Sequence, residues 1–113
     1  MKTWYKAHVY NVVDGDTFDA KVDIGFGMTK DLRVRLANID TAETWRPQNE
    51  EERIHGQKAT DRVTELILNK DIWIFFEGTG SFGRHLGTVW LEDEDNYLYK
   101  ILIEEDLEKR DEY

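Results

Sequence analysis

Six polar residues between positions 16 and 84 have side chains suited to gripping a cation and a phosphodiester together. They are Asp16, Arg35, Asp40, Thr41, Glu43 and Arg84. Hard divalent cations such as calcium take carboxylate and carbonyl oxygens as ligands, and the planar fork of arginine fits phosphate oxygens. A carboxylate that is not used on the cation can act as a general base. Together these residue types predict cation-assisted chemistry at a phosphate ester.

The same residues stand in three short motifs whose order along the chain resembles the staphylococcal (thermonuclease-like) nucleases. The motifs are DGDT at 14–17, VRLANIDTAET at 34–44 and GRHLG at 83–87. The resemblance extends from about Val9 to about Leu107 and so covers most of the chain. Each motif alone is a weak signal, and the specificity lies in their combination and order.

The resemblance implies a calcium site made only of oxygen ligands. In this family pattern Asp16 and Asp40 bind calcium through their carboxylates, and Thr41 binds it through its backbone carbonyl. Asp14 is implied as a nearby charge that does not bind directly. Two carboxylates and a carbonyl leave coordination positions for water and for a substrate phosphate.

The resemblance also implies catalytic roles for Arg35, Glu43 and Arg84. Glu43 either deprotonates the attacking water or only orients it, and the residues leave both alternatives open. The two arginines hold the scissile phosphate and offset the charge that develops in the transition state. The implied enzyme is a calcium-dependent endonuclease that hydrolyses DNA and RNA. It would prefer single-stranded or frayed substrate with little sequence specificity, and its products would carry 3′-phosphates.

Two departures from the family pattern affect the loops of this site. Ala42 replaces a proline that usually precedes the glutamate, which loosens the loop that holds Glu43. Phe82 replaces a tyrosine, so it can stack on a base but cannot donate a hydrogen bond to phosphate. Gly83 fits a loop whose backbone approaches a ligand closely. The change at Phe82 concerns nucleotide affinity more than catalysis.

Two other classes of function compete with a nuclease. The first is a non-catalytic nucleic-acid-binding module with an oligonucleotide-binding (OB) fold, and the retention of all six site residues argues against it. The second is a cation-binding interaction module whose acidic end docks a basic partner. Cleavage of DNA with calcium and its loss in chelator would separate these possibilities.

The net charge of −9 is unusual for a protein that binds a polyanion, because phosphate binding normally uses a basic surface. Residues 92–113 carry −7 of this charge, with ten acidic and three basic residues, whereas residues 1–91 carry only −2. The acidic end either aids solubility or keeps non-target nucleic acid away from the surface.

Length and composition predict one globular domain over residues 1–113, with no cysteine to form disulfides. No apolar run approaches the ~20 residues that span a bilayer, and the start MKTWYKAHVY lacks the apolar stretch of a secretory signal. We therefore expect a monomer without a membrane partner, either cytoplasmic or secreted if a leader was removed.

Hydrophobic periodicity predicts a mainly β protein with short helices (α+β), in the form of a five-stranded Greek-key OB-fold barrel. Strands are predicted at 4–13, 17–24, 29–37, 72–77 and 86–92, and helices at 55–69 and 97–104. The polar segment 44–53 is interpreted as a loop. The resemblance implies the same fold.

The remaining aromatic and histidine residues give weaker predictions. Trp4, Trp73 and Trp90 are expected in the core or at its edge. Trp45 either stacks on a nucleobase or packs against the barrel. The three histidines (His8, His55 and His85) suggest no catalytic group as a set. We expect Tyr113 to lie in a frayed segment that does not contribute to the site.

Overall fold

The computed structural model describes residues 3–79 and 84–113. Within these ranges the strands and helices follow one another in this order: β1 (Trp4–Asp14), β2 (Thr17–Gly25), β3 (Met28–Leu36), α1 (Glu50–Ile67), β4 (Asp71–Thr79), β5 (His85–Leu91), β6 (Asn96–Tyr97) and α2 (Leu98–Glu104).

The sheet closes on itself as a five-stranded barrel. Neighbouring strands follow the order β3-β2-β1-β4-β5, and a parallel pairing of β3 with β5 joins the two edges. The two-residue strand β6 extends β5 on the outside of this closure. The predicted α+β barrel is therefore confirmed, and closure leaves few strand edges exposed.

Strand β2 shows how alternation builds the barrel core. Phe18, Ala20 and Val22 are buried as their period-two spacing predicts. Ile24 continues the same alternation but is 43% exposed. Its exposure follows from the register, because the pairing of β1 with β2 ends at Val22. Beyond that point β2 and β3 project from the barrel as a hairpin.

Helix α1 begins at Glu50, which corrects the predicted loop over 44–53 and the predicted helix start at residue 55. Asn49 caps the helix by accepting a hydrogen bond of 3.0 Å from the backbone N–H of Glu52. The Glu52 carboxylate in turn accepts one of 2.8 Å from the N–H of Gln48. An Asn followed three residues later by Glu is a recognised helix-start signal, so the sequence did contain this boundary.

The C-terminal segment, residues 105–113, docks on helix α1. The expectation that it is frayed was therefore wrong. His55 is buried and contacts the Tyr113 hydroxyl at 2.6 Å and the Asp106 carbonyl at 2.7 Å. Asn49 donates a hydrogen bond of 2.9 Å to the Tyr113 carbonyl. A buried histidine with a partner on each ring nitrogen is a structural group.

Among the described residues, no helix is long and apolar enough to cross a membrane.

Three of the four tryptophans lie on the outside of the barrel, half-buried, and not within its core. Trp73 alternates with the fully buried Ile72 and Ile74 on β4, so it points away from the core. Trp90 is its cross-strand partner on β5. On this outer side the ring of Trp4 contacts Phe75 of β4, and the ring of Trp90 contacts Tyr97.

Candidate active site

The register of β2 against β3 brings Arg35 beside Asp16. Arg35 pairs with Thr17 across the two strands. The next residue, Leu36, donates its backbone N–H to the Asp16 carbonyl at 2.8 Å. The hairpin turn before β2 and the end of β3 therefore meet at one end of the barrel.

The Arg35 guanidinium organises this end of the barrel. Its Nη1 donates to the carbonyl of Leu36 and, at 2.9 Å, to the carbonyl of Ile39. Its Nη2 contacts the Asp16 carboxylate at 3.3 Å and also donates to the Asp40 carboxylate. Two carboxylates from distant parts of the chain thus converge on one positively charged nitrogen.

Asp16 is held from several sides within this group. Its carboxylate accepts hydrogen bonds from the Thr41 backbone N–H at 3.1 Å and from the Thr17 hydroxyl at 3.0 Å. The Asp16 side chain is only 12% exposed, whereas that of Asp40 is 72% exposed. We call Asp16, Arg35, Asp40 and Thr41 the carboxylate–arginine cluster. It has one rigid, sheltered carboxylate and one that is open to solvent.

The carboxylates of this end influence each other's ionisation. Burial raises the pKa of Asp14 to about 7, and a hydrogen bond to Asp16 and the charges of Asp16 and Glu43 act in the same direction. Burial also opposes ionisation of Asp16. Its pKa nevertheless lies below the ordinary value, because hydrogen bonds from Asp14 and the Thr41 amide and the Arg35 charge favour the carboxylate. Asp16 is therefore the member that stays ionised near neutral pH, and Asp14 is the one that takes up a proton more readily.

Close approach of helix α1 fixes the loop that carries Thr41, Ala42 and Glu43. A Cβ atom on Gly56 would lie 2.7 Å from the Ala42 carbonyl oxygen and 3.0 Å from that of Glu43. On the turn between β1 and β2, a Cβ atom on Gly15 would lie 2.8 Å from the Thr41 hydroxyl oxygen. Both positions require glycine because backbone and side chain approach too closely for any other residue.

The C-terminal segment also holds the cluster, which sequence reasoning missed. The Lys109 backbone N–H donates a hydrogen bond of 2.8 Å to the Asp40 carbonyl. The Lys109 ammonium lies 3.7 Å from the carboxylate of Glu52, which is fully buried in α1. The hydrogen bond from the Lys109 amide could not be predicted from residue type, because every residue except proline carries a backbone N–H.

The structure places the other predicted site residues as follows. Glu43 is exposed on the loop that follows Asp40, and its charge contributes to raising the pKa of Asp14. Arg84 is half-buried immediately before β5, whose Leu86 pairs with Arg35. The predictions made for Phe82 and Gly83 lie outside the described residues. Trp45 is 72% exposed with the Arg46 guanidinium 4.5 Å from its ring centre, so it does not pack against the barrel.

The cluster offers oxygen donors suited to a hard cation. The carboxylates of Asp16 and Asp40 both bind the same nitrogen of the Arg35 guanidinium, so they lie close enough together to share one positive charge. The Thr41 hydroxyl oxygen is buried without a hydrogen-bond partner in the described structure, which is rare for a buried polar atom. Over residues 3–79 and 84–113, no group of three or more His, Asp or Glu side chains could hold a metal ion. A cation here would need backbone or hydroxyl oxygens beside the two carboxylates.

Comparison with known proteins assigns most of the chain to a family. Residues 33–109 match the family described as "Staphylococcal nuclease homologue". The chain is 34% identical over 88 residues to "Thermonuclease" of Staphylococcus intermedius, covering 76% of this chain and 49% of that protein.

Two further relatives come from Escherichia coli. "Protein ParB" is 29% identical over 89 residues, covering 79% of this chain and 44% of the relative. An "Uncharacterized endonuclease" of strain O157:H7 is 30% identical over 88 residues, covering 78% and 50% respectively. The chain thus spans about half the length of the curated relatives that it matches.

Proposed function

This chain belongs to the staphylococcal nuclease homologue family, and from that premise we propose that it is a nuclease. The reaction is hydrolysis of phosphodiester bonds in DNA and RNA, with single-stranded or frayed substrate preferred. The support is the family together with relatives named as a thermonuclease and an endonuclease.

One observation of the structure carries this proposal. Asp16 on the β1–β2 turn, Arg35 on β3 and Asp40 in the following loop converge on a single point, although 24 residues separate the first from the last. A barrel of this kind needs no such charge cluster for stability, since replacing a partly buried ion pair by apolar groups is often neutral. The cluster therefore supports a site for chemistry.

Calcium fits the oxygen donors of the cluster. We assign its ligands to the carboxylates of Asp16 and Asp40 and to the Thr41 carbonyl, as the family pattern implies. When bound, calcium would neutralise these carboxylates and polarise a phosphate oxygen as a Lewis acid.

Glu43 acts on the attacking water. Its carboxylate is exposed on the loop that follows Asp40, and the close contact with Gly56 keeps that loop in place. It orients the water or accepts its proton as the new bond between oxygen and phosphorus forms. The bond from phosphorus to the 5′-oxygen then breaks in line with the attack, and the leaving 5′-oxygen takes a proton from solvent water to become a 5′-hydroxyl. The product retains a 3′-phosphate.

Arg35 and Arg84 stabilise the reacting phosphate. In the structure Arg35 uses one nitrogen on loop carbonyls and the other on carboxylates. The first set keeps the guanidinium in place, and the second set is exchanged for phosphate oxygens when substrate binds. Arg84 approaches from the start of β5, the strand that pairs in parallel with β3. Preorganised donors of this kind act mainly on the transition state.

A cleavage assay tests the proposal. Labelled single-stranded DNA is incubated with the protein in millimolar calcium and, in parallel, in chelator. We expect cleavage with calcium and none in chelator. Binding without cleavage would instead support a non-catalytic nucleic-acid-binding module. The absence of both binding and cleavage would support an interaction module.

A matched variant guards against a contaminating nuclease. Glu43→Gln keeps the size of the side chain but removes its basic carboxylate, and it is purified in the same way. The variant should bind the oligonucleotide and cleave it far more slowly. Equal cleavage by the variant and the parent would show that Glu43 has no part in the reaction or that the activity comes from another protein.

A further inference from the structure

The outer surface of β1, β4, β5 and β6 carries an aromatic depression away from the carboxylate–arginine cluster. It has a volume of about 390 Å³ and is lined by Trp4, Trp73, Trp90, Tyr97 and Glu92. We call these four rings the aromatic face. Strand β1 runs from Trp4 at this face to Asp14 beside the cluster. Its length separates the two regions by on the order of 30 Å along the strand.

The strand pairing assembles the aromatic face. Trp73 lies opposite Trp90 between β4 and β5, and Trp90 lies opposite Tyr97 between β5 and β6. The rings of Trp90 and Tyr97 are 4.9 Å apart at an angle of 77°. Those of Trp4 and Tyr97 are 6.4 Å apart at 31°. The depression therefore has walls in more than one direction, and the four rings are only half-buried.

One edge of the aromatic face is acidic. The indole N–H of Trp73 donates a hydrogen bond of 3.2 Å to the Glu92 carboxylate, which holds that acid at the edge of the depression. Asp93 and Glu94 follow directly and are exposed. An edge of carboxylates attracts cations and repels phosphate groups.

Two lysines of the chain lie against rings of the aromatic face. The Lys6 ammonium lies 5.9 Å from the centre of the Trp73 ring, and that of Lys100 lies 5.2 Å from the Tyr97 ring. Neither lysine lines the depression itself. The aromatic π-faces here are thus accessible to cations at distances where cation–π attraction operates.

From these observations we propose that the aromatic face binds an arginine or lysine side chain of a basic protein segment. Several aromatic walls with one carboxylate suit an organic cation, because π-faces attract the charge and the carboxylate binds its N–H groups. A nucleic acid is disfavoured, since its backbone would meet Glu92, Asp93 and Glu94. This binding function is independent of the proposed nuclease reaction.

Indole N–H signals in nuclear magnetic resonance spectra test the proposal. The probe is acetyl-Gly-Arg-Gly-Arg-Gly-amide, added at physiological salt, and the matched probe replaces each arginine by uncharged citrulline. We expect the signals of Trp4, Trp73 and Trp90 to shift with the arginine peptide while that of Trp45 stays unchanged. Citrulline should weaken binding by at least about threefold, because it removes the cation–π attraction.

A pair of isosteric variants separates specific binding from attraction to an acidic protein. Glu92→Gln removes the carboxylate at the depression, and Glu108→Gln removes an exposed carboxylate from the C-terminal segment. We expect weaker peptide binding for the first variant only, and Trp73→Leu should weaken it as well. Equal effects of the two glutamine variants, equal binding of the citrulline peptide, or stronger perturbation of the same signals by single-stranded DNA would each overturn the proposal.

Discussion

The carboxylate–arginine cluster and the aromatic face occupy the same barrel but are built in opposite ways. In the cluster, polar side chains are tied to the backbone, as in the bonds of Asp16 to the Thr41 amide and of Arg35 to the Ile39 carbonyl. In the aromatic face, half-buried rings contact mainly one another. The cluster therefore depends on single atoms, whereas the face depends on shape and on the charge around it.

This contrast predicts different responses to mutation. Removing one member of a hydrogen-bonded charge group leaves buried partners unsatisfied and is costly. Replacing one ring of a half-exposed aromatic group removes contact area but leaves no unsatisfied group. Substitutions in the cluster should therefore have larger effects than substitutions on the aromatic face.

The largest effect is expected for Asp16→Asn. It should lower the cleavage rate by more than about 100-fold, since even partners that only orient a metal ligand typically contribute 10–100-fold. We also expect calcium to raise the melting temperature of the parent by binding the folded state, and Asp16→Asn to abolish that rise. The measurements are cleavage rate and thermal melting with calcium and with chelator.

Asp19→Asn is the matched control for Asp16→Asn. Asp19 lies three residues after Asp16, on β2, and its carboxylate binds Arg33 at the surface. This variant should keep the calcium-dependent rise in melting temperature. The assignment of the ligands would be contradicted if calcium did not change the melting temperature of the parent. It would also be contradicted if both variants lost the rise.

The next effect concerns the contact between α1 and the loop of the cluster. Gly→Ala within a helix normally stabilises a protein, but Gly56→Ala should destabilise this one by about 1–3 kcal/mol through overpacking. The reason is the 2.7 Å approach of a Cβ atom to the Ala42 carbonyl oxygen. Urea denaturation would measure the change, with Gln57→Ala at the neighbouring exposed position as control. A Gly56→Ala protein that is more stable than the parent would show that the loop carrying Ala42 moves away from the new methyl group at little cost.

A smaller effect is expected on the aromatic face. Trp90→Leu should lower the free energy of unfolding by about 0.5–1.5 kcal/mol, the usual contribution of an aromatic pair. Trp45→Leu should change it by less than about 0.5 kcal/mol, as is usual for exposed positions, because Trp45 is 72% exposed. Urea denaturation measures both. A loss for Trp90→Leu as large as that for a core residue would show that the face is part of the core.

The smallest effect is expected from charge on the C-terminal segment. The triple variant of Glu108, Asp111 and Glu112 to Gln should bind single-stranded DNA modestly more tightly at low salt, with Glu43→Gln added to stop cleavage. The segment reaches the cluster through the bond from Lys109 to the Asp40 carbonyl. The gain should fade as the Debye length falls to about 8 Å at 0.15 M salt. Affinity curves that coincide at every salt concentration would leave only a role in solubility.

The sequence predicted the barrel well because its strands follow simple rules. In β2 the alternation of Phe18, Ala20 and Val22 identified the core side directly. The start of α1 was missed although Asn49 and Glu52 form a capping pair. Segment 44–53 is rich in polar residues, and this composition favours a loop more strongly than the capping pair favours a helix start.

The two regions differ in how well the sequence predicted them. The motifs and the family resemblance identified Asp16, Arg35 and Asp40, which the fold brings together. The aromatic face was assigned to the core or its edge, because Trp73 and Ile72 are both apolar and alternation cannot distinguish two apolar faces. Contacts such as that of Lys109 with Asp40 depend on the docking of distant segments, for which the sequence has no local pattern.

The most direct test of the central claim compares two arginines of β3. Arg35 binds the carboxylates of the cluster, whereas Arg33 forms a surface pair with Asp19. Each is changed to Lys, which keeps the charge but loses the planar fork, and single-turnover cleavage of single-stranded DNA is measured in calcium. We predict a loss of roughly 10²–10³ in rate for Arg35→Lys, as for a lost transition-state donor, and a near-parental rate for Arg33→Lys. Equal rates for the two variants would contradict the claim that the carboxylate–arginine cluster is the active site.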